Sequence, residues 1–173
     1  MLSTLNKPGV NISTVEDPVE YTLDGIHQVQ VIREKGLDFS RALRSLMRQD
    51  PDIILVGETR DKETAQAAME AALTGHMVFT TLHANDTATA ITRLAEMEIP
   101  PYLIGASIIG VVAQRLVRKV CKSCTEFKKV NHKDNQLAAL YGVEKARFIN
   151  TKNKSCSVCN GTGYKAVSYT HLT

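Results

Sequence analysis

Along the first two thirds of the chain, the spacing of apolar residues alternates between one typical of β-strands and one typical of α-helices. Short runs rich in β-branched residues, Asn11–Val15 and His27–Ile32, predict strands. From Asp38 the spacing becomes helical, and Asp38 itself can cap this helix, which ends before Pro51. The continuous apolar run Ile53–Val56 is typical of a strand buried on both faces. The predicted core-facing side of the helix carries Phe39, Ala42, Leu43, Leu46 and Met47.

Aspartates at helical starts mark two further helices. An alanine-rich helix follows Asp61 and ends near Gly75, and a second helix follows Asp86 and stops before the prolines at positions 100 and 101. Between them, Met77–Leu82 is predicted to form another buried strand. Strands and helices therefore alternate, and this order predicts an α/β fold in which helices cover a mostly parallel sheet.

Chemically active side chains follow three of the predicted strands. They are Glu16, Asp17 and Glu20 after the first strand, Glu58 after the central one and His83 after the third. Ligands of open parallel sheets bind beyond the carboxyl ends of the strands. Taken singly, these residues also fit an exposed acidic turn, a helix cap and a hydrogen-bonded structural histidine. Their coincidence at three strand ends predicts a binding or catalytic site.

The central strand runs directly into an acidic residue. Four apolar residues lead through Gly57 to Glu58, which is how a nucleotide hydrolase places a carboxylate near Mg²⁺ and phosphates. Gly57 strengthens this interpretation because a residue without a side chain lets backbone and ligand approach closely. Many parallel strands end in an acid that only caps the next helix, so both interpretations stay open.

Two CxxC pairs contain all four cysteines of the chain and form its most specific motif. Two disulfides are one possibility, but Met1–Val10 lacks the basic start and long apolar run of a secretory signal, which favours reduced thiols. Four thiolates complete a tetrahedral Zn²⁺ site and leave no position for a reactive water, so we expect a structural role. The 31 residues between the pairs are expected to include a short helix at Asn135–Tyr141. The predicted ligands are Cys121, Cys124, Cys156 and Cys159.

Length, composition and charge limit the fold and the partners. With 173 residues and 43% apolar content, the chain can bury one core and carry a small metal-held module. Residues 1–113 hold 9 basic and 15 acidic side chains, whereas residues 114–173 hold 12 basic and 3 acidic ones. The basic module has few aromatic residues, so nucleic acid is not a predicted partner. The longest apolar stretch, Tyr102–Ala113, is shorter than the roughly 20 residues of a membrane span, and membrane contact is expected only through partners.

Four motifs together resemble one family of secretion ATPases. Ile12–Tyr21 resembles the aspartate box of the ATPases that drive type II secretion and type IV pilus assembly, and Leu46–Asp61 resembles their Walker B segment. Thr74–Leu94 resembles their histidine box, and Gln114–Arg118 with the paired cysteines resembles their tetracysteine region. Pilus retraction motors typically lack the cysteine module, so the resemblance favours secretion or pilus assembly. It implies a RecA-like P-loop NTPase core in a cytoplasmic homo-hexamer, which uses Mg²⁺ and ATP and acts with inner-membrane platform proteins to extend a pilus or pseudopilus.

The resemblance also implies roles for the residues at the strand ends. Glu16 would be the general base for the attacking water, Glu58 would support Mg²⁺, and His83 would sense the γ-phosphate of ATP. The choice of Glu16 over Glu20 as the base rests on its position in the motif. By residue type alone, His76 is a hydrogen-bonded structural histidine. The surrounding nucleotide-binding residues that the family implies are Asp17, Glu20, Arg60 and His76.

One part of the family pattern is absent from the 173 residues. No GxxxxGK(S/T) motif occurs, so the loop and the lysine that cradle the phosphates of ATP are missing. We therefore expect an incomplete core without the P-loop strand and helix, an unpaired sheet edge beside Asn11–Val15, and no ATP hydrolysis by this chain alone. The alternative function is a zinc-clasped binding or regulatory module that acts on a related ATPase or its membrane platform.

The expected domains follow from the apolar and basic segments. A partial RecA-like core covers residues 1–113, and a basic tetracysteine module that binds zinc covers residues 114–165. Residues 166–173 match no motif of the family and resemble translated adaptor sequence, so they are left out of the predicted fold.

Overall fold

Four short strands form a parallel sheet in the first of two compact units. The computed structural model describes residues 2–129, 131, 140, 142, 144–149 and 156–169, and the two units divide between Ala113 and Gln114. The strands are β1 (Ile12–Glu16), β2 (His27–Gln30), β3 (Ile53–Val56) and β4 (Met77–Thr80). They pair in the order β2-β1-β3-β4, and helices follow β2, β3 and β4 along the chain. The predicted α/β fold with a parallel sheet is therefore confirmed.

Aspartate side chains start three of the helices, as the sequence predicts. Asp38, Asp61 and Asp86 each accept a hydrogen bond of 2.8 Å from the backbone N–H three residues later. Such caps satisfy amides that have no partner inside the helix, and each stabilises the fold by about 1 kcal/mol. Among the described residues, no helix has the length and apolarity to cross a membrane. The helices are α1 (Leu2–Leu5), α2 (Phe39–Leu46), α3 (Lys62–Leu73), α4 (Thr87–Glu96) and α5 (Pro101–Ser107).

Apolar side chains pack on both faces of the sheet. Leu43 of α2 packs in one cluster with Ile54 and Val56 of β3, and all three are fully inaccessible to solvent. Alanines of α3 belong to the same cluster. Ile12 and Ile53 belong to a second cluster with Leu2 of α1. Since successive side chains of a strand point to opposite faces, α2 and α3 cover one face of the sheet and α1 lies against the other.

Two details of the predicted sheet are wrong. The sequence predicts an unpaired edge beside β1, but β1 lies between β2 and β3 because β2 returns parallel to it, with Thr14 opposite Gln28. The sequence also predicts Met77–Leu82 as a buried strand. In the described sheet, β4 has a neighbour on one side only, ends at Thr80 and leaves 42% of Met77 exposed.

Two antiparallel strand pairs lie in the described part of the second unit. The guanidinium of Arg118 lies 4.0 Å from the ring centre of Tyr164 on the paired strand, a cation–π contact. The pairs are β5 (Leu116–Val120) with β8 (Tyr164–Tyr169) and β6 (Thr125–Lys129) with β7 (Lys145–Ile149).

β8 runs past the end of the predicted zinc module. It continues to Tyr169, so the first four residues of the segment left out of the predicted fold extend a paired strand. The predicted helix Asn135–Tyr141 lies outside the described residues, apart from Leu140.

Truncation of Leu43 tests the packing of α2 on the sheet. Leu43→Ala should lower the free energy of unfolding by about 2–5 kcal/mol, because the side chain is fully buried and leaves a cavity. Leu73→Ala is the matched control, since Leu73 is 51% exposed at the end of α3 and its loss should cost less than about 1 kcal/mol. Urea denaturation followed by circular dichroism measures both values, and equal losses would contradict this packing.

Candidate active site and metal centre

Gly57 brings the ends of β1 and β3 together. Its N–H donates to the carbonyl oxygen of Val15 at 2.8 Å. A Cβ at position 57 would lie 3.0 Å from that oxygen and 3.4 Å from the Cα of Glu16, which is closer than packed atoms tolerate without a shift. The absence of a side chain therefore allows Glu16 and Glu58 to leave adjacent strands at the same edge of the sheet.

Glu58 lies at the centre of a charged cluster beyond β3. Its Oε2 contacts Nε of Arg60 at 2.5 Å and Nε2 of His83 at 3.4 Å. The side chain of Glu58 is only 15% exposed, whereas that of His83 is 78% exposed. The structure thus brings together three of the sequence-predicted site residues and leaves the imidazole open to a ligand.

Threonines fix the segments that carry Glu58 and His83. The N–H of Thr59 donates to the carbonyl of Thr81 at 2.9 Å, and Oγ1 of Thr81 donates to the carbonyl of Gly57 at 2.6 Å. The hydroxyls of Thr59 and Thr80 lie 2.7 Å apart, and Thr59 is buried. Sequence reasoning missed these residues. Their position was the available signal, because these threonines lie at or within three residues of the ends of β3 and β4.

Glu16 ends β1 and is held by two hydrogen-bond donors. Oγ1 of Thr14 donates to Oε1 of Glu16 at 2.6 Å, and Nε2 of Gln28 donates to the same oxygen at 2.9 Å. Thr14 is fully buried. Sequence reasoning missed both donors, although the two-residue period of a strand predicts that Thr14 and Glu16 share a face. Gln28 could be found only from the pairing of β1 with β2.

The other acidic residues of this loop have different surroundings. Asp17 forms an ion pair with Arg33, in which Nη2 lies 3.0 Å from Oδ2. Glu20 is exposed, and the described residues provide its side chain with no hydrogen bond. Within the described part of the chain, neither residue forms a hydrogen bond or an ion pair with Glu58 or His83.

His76 lies at the opposite end of β4 from His83. It immediately precedes the strand, and its Nδ1 lies 2.9 Å from the carbonyl oxygen of Ala71 and 3.1 Å from Oγ1 of Thr74. These contacts tie the ring to the last turn of α3. The structure therefore does not bring His76 to the carboxyl edge of the sheet where Glu58 lies.

The four cysteine sulfurs of the second unit converge on one point. All four Sγ atoms lie within 4.8 Å of one another, and those of Cys124 and Cys159 are 3.5 Å apart. Metal–sulfur bonds of about 2.3 Å in a tetrahedron require sulfurs roughly 3.8 Å apart, so the cluster fits a metal ion. The cysteines are free thiols, and Cys156 alone among them is partly exposed. This cluster can bind a metal ion with four sulfur ligands.

The thiols differ in how readily they carry charge. Burial disfavours the thiolate of Cys159, but the N–H of Gly163, 3.3 Å from its sulfur, and the neighbouring thiols outweigh burial and lower its pKa to about 7. For Cys124, burial and the hydrogen bonds with the other three cysteines all raise the pKa, to about 12. A bound cation favours the thiolate at every ligand, so it would lower the pKa of Cys124 as well as that of Cys159.

Comparison with known proteins identifies the family of this chain. The family described as "Type II/IV secretion system protein" matches residues 1–170. The chain belongs to this family. Its resemblance to the ATPases of type II secretion and type IV pilus assembly is confirmed by the relatives and solved structures described below.

Two relatives of this type II/IV secretion family illustrate the similarity. The chain is 52% identical over 169 residues to the type IV pilus assembly ATPase PilB of Thermus thermophilus. This match covers 95% of this chain and 19% of PilB. It is 47% identical over 165 residues to type II secretion system protein E of Pseudomonas aeruginosa, which covers 95% of this chain and 32% of that protein. The chain thus spans a fifth to a third of the length of these curated relatives.

Solved ATPase structures share the fold of this family member. The pilus retraction motor PilT, determined with bound ADP, has a TM-score of 0.63 and 35% identity, and the match covers 70% of this chain and 38% of PilT. The ATPase DotB of Legionella pneumophila has a TM-score of 0.55 and 34% identity, and covers 64% of this chain and 33% of DotB.

Substitution of Gly57 tests the close approach of β1 and β3. Gly57→Ala should destabilise the protein by about 1–3 kcal/mol, because its methyl group would press on the backbone of β1. Gly105→Ala is the matched control. A Cβ there meets nothing within 4 Å, and alanine favours the helix, so stability should be unchanged or slightly higher. Thermal unfolding compares the two, and a neutral Gly57→Ala would contradict the account.

Proposed function

We propose that this chain is the part of a hexameric ATPase that orients the attacking water and holds Mg²⁺, and that hydrolysis of ATP powers extension of a pilus or pseudopilus. The observation that carries the proposal is the convergence of Glu16, Glu58 and His83 at the carboxyl edge of one parallel sheet. This edge is where open α/β sheets bind nucleotides. The identities to a pilus assembly ATPase and to type II secretion proteins support the same activity.

Each of the three residues has a distinct proposed role. Glu16 takes the proton of the attacking water as general base. Glu58 would hold Mg²⁺ directly or through a water, and the bound cation would supply positive charge that neutralises the phosphates. His83 is exposed beside Glu58 and contacts the terminal phosphate, so its imidazole reports whether ATP is bound. Arg60 holds Oε2 of Glu58 and fixes that carboxylate.

Glu16 is a better candidate for the base than Glu20. Its carboxylate is held at Oε1 by Thr14 and Gln28, and it leaves β1 beside Gly57. Glu20 is exposed in the loop. A base must lie within hydrogen-bond reach of its water, and a carboxylate fixed by two donors meets that requirement with less loss of entropy. We keep Asp17 and Glu20 as residues that support the nucleotide site from further away, but not His76, which lies at the opposite end of β4.

The phosphate cradle has to come from outside these residues. No GxxxxGK(S/T) motif occurs in the 173 residues, and without one the triphosphate has no lysine and no amide cradle. In the described sheet, β4 is an edge strand that leads to His83, so another strand can pair with it next to the site. We therefore propose that these residues alone are inactive and that the activity belongs to a longer protein.

The proposed oligomer, location and partners are based on the relatives of the chain. Their names include pilus assembly and type II secretion, so we propose a homo-hexamer in the cytoplasm that contacts inner-membrane platform proteins and reaches the membrane only through them. Nucleic acid is not a proposed partner. The metal of the cysteine cluster is proposed to be Zn²⁺ with a structural role, because four sulfurs leave no open position for a reactive water.

Replacement of Glu16 tests the proposed reaction in the full-length protein. Glu16→Gln should lower kcat for Mg-ATP hydrolysis by about 100- to 10,000-fold, because the amide cannot accept the proton of water. Glu20→Gln is the matched control and should keep kcat within about tenfold. A phosphate-release assay measures both. The reverse result would make Glu20 the base, and a full-length protein without any ATP hydrolysis would favour the regulatory module instead.

Metal analysis tests the cysteine cluster. We expect one Zn²⁺ per chain by mass spectrometry of the metal content, and Cys124→Ser should remove most of it because one of four ligands is lost. Ser157→Ala, an exposed change between two of the cysteines, should keep the zinc. Equal zinc content in the wild type and Cys124→Ser would contradict the assignment of this ligand.

A further inference from the structure

Gln28 makes three hydrogen bonds at the site. Its Nε2 donates to Oε1 of Glu16 at 2.9 Å and to the carbonyl oxygen of Tyr21 at 3.0 Å. Its Oε1 accepts from the N–H of Leu23 at 2.7 Å. One side chain on β2 therefore connects the carboxylate at the end of β1 with two points of the loop that follows it.

The chemistry of its neighbours fixes the orientation of the Gln28 amide. The carboxylate of Glu16 and the carbonyl of Tyr21 can only accept hydrogen bonds, and the N–H of Leu23 can only donate. A flipped amide would direct oxygen at both acceptors and NH₂ at the donor. All three hydrogen bonds would then be lost, so the observed orientation is the one that the site requires.

The two donors to Glu16 bind the same oxygen. Thr14 and Gln28 are opposite each other on β1 and β2, and both donate to Oε1. The described residues provide no hydrogen bond to Oε2 of Glu16. The carboxylate is thus held by one oxygen while the second stays available to accept a proton.

We propose that Gln28 is a positioning residue that orients Glu16 so that Oε2 meets the attacking water. This inference rests on the proposed function, in which Glu16 is the general base. One proton of the water moves to Oε2 while the water oxygen bonds to the γ-phosphorus of ATP. The bond from that phosphorus to its bridging oxygen breaks, and its electron pair leaves with ADP. Gln28 itself exchanges no proton.

Gln28 also couples the carboxylate to the loop. Because the same amide holds Tyr21 and Leu23, a displacement of this loop moves the donor that holds Glu16. Misplacement of a catalytic group by about 1 Å can lower the rate by roughly 100-fold. The geometry therefore makes the loop conformation a determinant of kcat.

Two variants remove the donor to Glu16 and differ in whether the contact with Leu23 is kept. Gln28→Met keeps the length of the side chain and removes all three hydrogen bonds. Gln28→Glu keeps an oxygen that can accept from the N–H of Leu23 but cannot donate to Glu16 or to the carbonyl of Tyr21, and it places a second negative charge beside the Glu16 carboxylate. Gln66→Ala is the control. Gln66 is exposed on α3, away from the loop, and its Nε2 donates to Oε1 of Glu70 at 2.8 Å.

Kinetics of ATP hydrolysis by the full-length protein give the readout. Both Gln28 variants should lower kcat by about 10- to 100-fold while KM for ATP stays within about twofold, because orientation of the base is lost and binding is not. Gln66→Ala should keep both constants within about twofold. Hexamer content and melting temperature are measured for every variant, so that loss of folding is recognised.

Three results would overturn the inference. One is unchanged kcat in both Gln28 variants. Another is a loss confined to Gln28→Met, which would assign the effect to the contact with Leu23 alone. The third is a rise in KM without a fall in kcat. Glu16→Gln in the same assay separates the base role of Glu16 from the positioning role of Gln28. If Glu16→Gln is inactive while the Gln28 variants keep kcat, the positioning role alone fails. If Glu16→Gln turns over normally, the base role and the positioning role that rests on it both fail.

Discussion

The close parallel pairing of β1 with β3 is the constraint on which the rest of the site depends. Val15 lies opposite Val56, and the N–H of Gly57 continues the hydrogen bonding to the carbonyl of Val15. Because position 57 has no side chain, Glu16 and Glu58 leave their strands next to each other. β2 and β4 then flank this pair. Gln28 of β2 donates to Glu16, and His83, in the segment after β4, contacts Glu58.

The elements of the first unit could be predicted because their signals are local. Asp38, Asp61 and Asp86 cap helices where the sequence places them, and Ile53–Val56 is a strand with the predicted bounds. The order of the strands could not be predicted, since it depends on which segments pair across long stretches of chain. The unpaired edge was therefore predicted beside β1, whereas β4 is an edge in the described sheet.

The difference between local signals and long-range strand pairing also explains which site residues were missed. Glu16, Glu58 and His83 were identifiable as polar residues at or shortly after the ends of apolar strands. Thr14 and Gln28 carry no such signal, because one is buried within a strand and the other reaches Glu16 only through the pairing of β1 with β2. The cysteines were the opposite case. Their spacing alone predicted that the four sulfurs converge, since two CxxC pairs restrict the sulfurs to few arrangements.

The most direct test of the central claim is a structure of the full-length protein with Mg²⁺, ADP and aluminium fluoride, which mimics the transferring phosphoryl group. The account predicts a water in line with the aluminium and about 3 Å from Oε2 of Glu16, with Oε1 still held by Thr14 and Gln28. A water held by Glu20, or a Glu16 carboxylate turned away from the nucleotide, would contradict it.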